Sequence, residues 1–129
     1  MIIGIGCDLC SLPSMKDDID AQGELFLKQF CKPSELSFIA KNKNPIQTAA
    51  AIFAMKEAFA KAIGRGFWGD LWFDNLEIAN MRGGHASLRI EKTALKTLHD
   101  VEGIRFKRTL LSYSCAAEYA MGTCIVTDT

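Results

Sequence analysis

The sequence predicts an α+β domain in which an antiparallel sheet packs on one long central helix. Three observations predict it. The stretch Pro45 to Ile63 reads as a single helix with a start signal before it and glycines behind it. Short apolar strand-like pieces lie on both sides of that helix, and the last two form a hairpin pattern. The chain has 129 residues, 49% of them apolar, which suits one domain spanning 1–129 with one core.

Met1 to Gly6 reads as a short buried strand, rich in isoleucine and broken by glycine. Pro13 opens a short helix, and Glu24 to Phe30 and Pro33 to Lys41 read as further helical pieces. Lys41-Asn-Lys-Asn44 is a polar break. Asn44 then suits the cap of the central helix, Pro45 its first position and Gln47 the capping-box position. Gly64 and Gly66 end it. Leu71 to Phe73, Leu76 to Ile78 and Ala86 to Ile90 are strand-like, with Arg82-Gly-Gly84 as a turn. Thr93 to Val101 reads as an amphipathic helix with Leu95, Leu98 and Val101 inward and Gly103 as its stop. Arg105 to Tyr113 and Tyr119 to Val126 are two more strands, joined by Ser114-Cys-Ala-Ala-Glu118.

Within the central helix, Ala49 to Ile63 is apolar except for Lys56, Glu57 and Lys61. A helix that is hydrophobic all round is normally buried. Buried charges are costly unless they are paired or bind an ion. These three therefore form a paired structural cluster or line a site for something charged. Ile52, Met55, Phe59 and Ile63 share one face. Phe53, Glu57 and Lys61, each one turn apart, make a neighbouring row.

Several function classes are set aside. Fifteen basic and fifteen acidic residues give zero net charge, so no global field draws the protein to nucleic acid or membrane. The longest strongly apolar run, Ala49 to Met55, is short of the ~20 residues that a membrane span needs. The N-terminus has no signal-peptide pattern, so the expected location is the cytoplasm. Five cysteines form an odd count that argues against a disulfide framework. Cys7 and Cys10 make an isolated C-x-x-C without a second pair, and the plain reading is buried thiols in a reducing compartment. Gly4 and Gly6 fail the dinucleotide fingerprint because position 9 is leucine. His85, which follows the glycine turn, is expected to be exposed and His99 to lie on a helix surface. Trp68 and Trp72 read as packing or interface residues, and Phe53 as a core aromatic.

Two carboxylates stand in unusual settings. Asp8 follows the first strand and Glu57 sits in the apolar helix. If strand and helix pack together, the two acids converge. A carboxylate pair with open positions suits magnesium, which keeps waters and substrate phosphates in its shell. Lys61 would meet a phosphate as a point charge. The functional reading is magnesium-assisted phosphoryl-type transfer. The plainer reading is an intrahelical Glu57–Lys61 ion pair, with Asp8 capping a helix.

Ile3-Gly-Ile-Gly-Cys-Asp8, followed by Phe53-Ala-Met-Lys-Glu-Ala-Phe-Ala-Lys61 and then Gly64-Arg65-Gly66, resembles the holo-acyl-carrier-protein synthase family, the small 4′-phosphopantetheinyl transferases. The likeness continues through Leu111-Ser-Tyr-Ser114 and Glu118-Tyr-Ala120. It implies an enzyme that transfers 4′-phosphopantetheine from coenzyme A to a serine of an apo acyl carrier protein and releases adenosine 3′,5′-bisphosphate. Such a reaction belongs to fatty acid biosynthesis and lipid metabolism. By position, Asp8 and Glu57 would ligate magnesium, and Glu57 would activate the serine. Lys61 would stabilise the leaving phosphate and, with Asp8, Lys56 and Gly64, hold the coenzyme A co-substrate. The resemblance also implies a homotrimer with its sites at subunit interfaces.

The chain departs from the family pattern at Ser14 and Ile52, where arginine is usual, and at Cys115, where histidine is usual. Lys16-Asp-Asp-Ile-Asp20 is net acidic where the family is often basic. Arg65, Arg105, Lys107 and Arg108 are candidates to compensate, or else solvated charges at strand edges. Three readings follow: an active transferase, a degenerate member that binds coenzyme A or a partner with little turnover, and a purely structural oligomerising domain.

Overall fold

The computed structural model describes residues 1–68 and 71–129. Five strands form one antiparallel sheet: β1 (Ile2–Ser11), β2 (Leu76–Arg82), β3 (His85–Ile90), β4 (Arg108–Ala116) and β5 (Tyr119–Thr127). Their order is β1-β5-β4-β3-β2, so the first strand is an edge laid against the last. Between β1 and β2 run α1 (Leu12–Gln22), α2 (Glu24–Lys28), α3 (Pro33–Lys41) and α4 (Pro45–Ala62). α5 (Lys92–Lys96) lies between β3 and β4. The expected α+β layering is what forms.

α4 carries the core. Twelve of its eighteen residues are buried, because alanine occupies so much of its surface that the sheet can approach closely. The sheet answers with glycine. A Cβ on Gly6 would overlap the carbonyl oxygen of Ala58, and one on Gly122 would stand 2.5 Å from the backbone nitrogen of Met55. These glycines act by lacking a side chain, which lets backbone meet backbone and fixes α4 over β1 and β5.

Several boundaries differ from the sequence reading. β1 continues to Ser11, so Asp8 lies within the strand, opposite Gly122 in register. Pairing with β5 extends it past the glycines where the apolar run ends. Ser11, rather than the strand, starts α1: its hydroxyl accepts from the Ser14 amide at 3.2 Å. Asn44 makes no side-chain cap on α4; its carbonyl instead accepts from the Thr48 amide and hydroxyl. Leu71 makes only an isolated bridge with Trp68, and Phe73–Asn75 is a 3-10 turn, so no strand forms there. Thr93 to Val101 is not one α-helix. After Lys96 it widens into a π turn (Thr97–Val101), which leaves Ala94 and Leu98 inward and Val101 exposed. β4 starts at Arg108, and the β4–β5 hairpin is tighter than expected, with Ala117 at φ +52° in its turn.

Candidate active site

Alternation along β1 decides what Asp8 faces. Gly6 and Cys10 are buried against α4, and Ile5, Cys7 and Leu9 point away and are exposed. Asp8 shares the helix-facing set, but β1 is an edge, so its carboxylate emerges beside α4 with its side chain only 16% exposed. Lys61 reaches it from the last turn of α4. The ammonium donates to Asp8 Oδ1 at 2.8 Å and to the carbonyl of Cys7 at 3.0 Å. This bond and the surrounding negative charge raise the lysine's affinity for its proton.

Glu57 lies one turn before Lys61 and is partly buried. Burial raises its pKa above the ordinary carboxylate value; the charge of Asp8 pushes the same way and Lys61 opposes them. The influence of Asp8 on Glu57 is in keeping with the packing of β1 on α4. The row Phe53, Glu57, Lys61 grades from core to water. Phe53 packs edge-to-face on Phe30 with centroids 5.2 Å apart and stacks on Phe73 at 5.4 Å, Glu57 is half-covered, and Lys61 is at the surface. Gly64 follows at φ +70°, and its amide donates to the Lys61 carbonyl at 3.0 Å. Glycine relieves the positive φ that closes the helix.

Lys56 is elsewhere. Its side chain is wholly buried, and its ammonium donates to the carbonyl of Phe30 at 2.6 Å, to Glu35 Oε1 at 2.8 Å and to the carbonyl of Phe73 at 3.2 Å. All three protons are satisfied inside the protein. This corrects the expectation that Lys56 holds coenzyme A: its three protons are taken and its side chain is 0% exposed. The three helix charges therefore divide. Lys56 is a structural tie, and Lys61 and Glu57 face the carboxylate of β1.

Sequence reasoning missed Glu35. It accepts from the Lys32 amide at 2.7 Å and the Ile78 amide at 2.8 Å, while also taking the Lys56 bond. The available signal was its place three residues after Lys32, where an acid closes a helix start behind Pro33. Of the cysteines expected to be buried, Cys10, Cys31 and Cys124 are, whereas Cys7 is exposed on the outer face of the edge strand and Cys115 is half-buried. Cys7 and Cys10 point to opposite faces of β1, so their C-x-x-C cannot grip one metal ion. Burial pushes the Cys10 thiol up to about 11. Among the described residues no group of three or more His, Cys, Asp or Glu side chains could hold a metal. A bound cation would therefore rest on the two-acid pair plus water and substrate oxygens, which is how magnesium is usually held.

His85 is exposed, as expected. His99 is half-buried rather than on the open helix surface: among the described residues its Nε2 finds no partner, and its ring sits edge-on to Phe106 at 5.2 Å. Trp68 and Trp72 are both largely exposed, and Arg65 stacks over the Trp68 ring at 4.3 Å.

Lys61 meets Asp8 at the outer edge of a small α+β sheet, with Glu57 one helical turn before the lysine. A family model described as the 4′-phosphopantetheinyl transferase superfamily matches residues 4–124, and the chain belongs to that family. Among its relatives, the holo-[acyl-carrier-protein] synthase of Maridesulfovibrio salexigens is 38% identical over 111 residues, covering 84% of this chain and 89% of that protein. That of Koribacter versatilis is 30% identical over 99% of this chain and 100% of its own. The crystal structure of the Neisseria meningitidis holo-[acyl-carrier-protein] synthase superposes with a TM-score of 0.84 at 30% identity, covering 98% of each chain. The Helicobacter pylori enzyme, solved in complex with coenzyme A, shares the fold at 23% identity and a TM-score of 0.80, over 95% of this chain and 99% of that one. No described helix is long and apolar enough to cross a membrane.

Proposed function

We propose that residues 1–129 act as one transferase domain, and that Asp8, Glu57 and Lys61 are the centre with which it performs its family's reaction. That reaction moves 4′-phosphopantetheine from coenzyme A to a serine of an apo acyl carrier protein. The observation that carries the assignment is the meeting of β1 and α4, with Lys61 Nζ 2.8 Å from Asp8 and Glu57 under the influence of both. Asp8 and Glu57 would hold magnesium, whose contribution when bound is to neutralise charge on the diphosphate as a Lewis acid.

The chain's own residues do the rest. Glu57, whose environment favours its protonated form, suits the acceptance of the proton from the attacking serine hydroxyl. The serine oxygen forms a bond to the phosphorus that bears the pantetheine arm. The bond from that phosphorus to the bridging oxygen breaks, and adenosine 3′,5′-bisphosphate departs with the electron pair. Lys61 meets the charge that develops on the departing phosphate. The Gly64 turn lies at the nucleotide end, where a missing side chain lets backbone approach a phosphate. Fixed placement of these groups supplies much of the rate, as in other phosphoryl transfers.

A homotrimer is part of the same proposal. Ile3, Ile5 and Leu9 of β1, Leu110 of β4 and Met121 of β5 are exposed. These residues form an apolar sheet face of the sort that a subunit contact covers. The cytoplasm is the proposed location, and fatty-acid synthesis the proposed setting. The test is labelling of an apo acyl carrier protein with tagged coenzyme A and magnesium. Wild-type protein labels it, and Glu57→Ala reduces labelling at least about a hundredfold, the low end for general-base catalysis. Normal labelling by Glu57→Ala removes the role given to that residue.

A further inference from the structure

We propose that Lys61 closes the free site to a lone divalent cation and yields to one that arrives with a diphosphate, so that metal and coenzyme A enter as a unit. This rests on the assignment of Asp8 and Glu57 as the metal pair. The ammonium donates to Asp8 Oδ1 at 2.8 Å and to the Cys7 carbonyl at 3.0 Å. Its seat is thus part side chain and part sheet backbone, and the lysine places its charge against one of the two acids on which a cation depends. The partners differ in freedom. The Asp8 side chain is 16% exposed and held on a strand, and that of Lys61 is 53% exposed on a flexible stem. The lysine can leave and the acid cannot.

Charge decides when it leaves. Asp8 and Glu57 ionised and Lys61 protonated sum to minus one. A lone divalent cation would turn the cluster to plus one and set Lys61 against it at close range, beside an acid that is mostly covered. A diphosphate diester brings two negative charges, which restore minus one and offer Lys61 new oxygen acceptors. Lys61 is then the element through which diphosphate raises metal affinity, and by linkage metal raises diphosphate affinity equally. In the free enzyme the same contact keeps Asp8 oriented.

Manganese serves as a paramagnetic probe of the full chain, its free-ion resonance giving the dissociation constant with and without coenzyme A. Without coenzyme A, Lys61→Gln binds manganese about fivefold more tightly than wild type, the scale of one exposed ion pair. Lys61→Met, which keeps the aliphatic stem, shows the same shift. In both variants the tightening of manganese binding by coenzyme A shrinks. Equal or weaker manganese binding by the two variants overturns the lock and leaves the metal pair standing. Failure of wild-type protein to bind manganese even with coenzyme A overturns the metal pair and the lock together.

Discussion

Lys56→Met is the perturbation whose size the structure sets most directly. The substitution keeps most of the side-chain volume and removes the ammonium. Glu35 Oε1 and the carbonyls of Phe30 and Phe73 each lose a donor. Glu35 keeps the amides of Lys32 and Ile78 but no cation, in a place where its own side chain is wholly buried. Stranding one member of a buried ion pair costs about 3–5 kcal/mol, and each orphaned buried carbonyl about 1–3 kcal/mol when no water replaces the donor. The contributions overlap, since the stranded-charge figure already includes relaxation of the partners. An expected loss of about 4 kcal/mol follows, a large share of the roughly 5–15 kcal/mol that holds a domain together.

Urea unfolding measures it. The midpoint falls while the slope stays near wild type, and the melting temperature drops by about 15 °C, at roughly 4 °C per kcal/mol for a chain of this length. Glu35→Gln alone and the double variant complete a cycle. The double variant costs less than the sum because no charge is left alone, with a coupling of about 1–3 kcal/mol. A loss under about 1 kcal/mol in Lys56→Met refutes the tie. So does a folded variant of unchanged stability whose KM for coenzyme A rises, which would return Lys56 to the nucleotide.

Three further outcomes follow from other contacts. Gly6→Ala pushes a methyl group into the carbonyl of Ala58; backbone must move, and thermal melting shows a loss of about 1–3 kcal/mol or a failure to fold. In metal-free protein the Glu57 carboxyl, followed by carbon-13 NMR, titrates above the usual 4.5. Its proton is favoured by the fold, so this group's contribution to stability grows as pH falls through the folded value and is lost as pH rises; Asp8→Asn moves the midpoint down by removing one of the two causes. Ile5→Lys, on the exposed face of β1, converts a trimer to monomer in light-scattering chromatography without lowering the melting transition of the monomer, and an unchanged mass removes that face from the subunit contact.

The parts of this fold that were legible are those where one residue type has one use. Glycines behind α4, proline at its start and the apolar run between them mark a helix without reference to anything distant. The placement of Asp8 was half legible. Its neighbourhood with α4 followed from packing the first strand on a buried helix, but that strand is an edge whose isoleucines are exposed rather than buried, and its length depends on β5, more than a hundred residues away in sequence. Val101 was misplaced because a single π turn shifts the register of everything after it, and periodicity assumes a constant turn. His99 was misplaced for the same reason. The partner of Lys56 was illegible because an acid on α3 and a lysine on α4 carry no shared spacing; only the packing of two helices makes them adjacent.

The departures from the family pattern take on meaning once their surroundings are known. Ile52 is 1% exposed and belongs to the apolar core, so packing occupies the position where the family resemblance leads one to expect arginine. Three of the four suggested compensators are engaged elsewhere. Arg65 is buried against Glu102 and stacked on Trp68, Arg105 stands 4.0 Å from Asp100, and Arg108 donates to the carbonyl of Thr129. Of the four, Arg65, Arg105, Lys107 and Arg108, only Arg108 lies in a strand, so strand-edge solvation does not describe them as a group. Lys16 and Lys43 instead flank a cleft of about 540 Å³ between the starts of α1 and α4, with Lys16 already paired to Asp20. On the proposed assignment, Asp8, Glu57 and Lys61 act without these positions, and what their loss removes is long-range attraction for phosphate. This chain should therefore differ from arginine-bearing relatives in KM for coenzyme A far more than in kcat, and a salt titration of KM separates the two, since a site with fewer cations shows the shallower dependence.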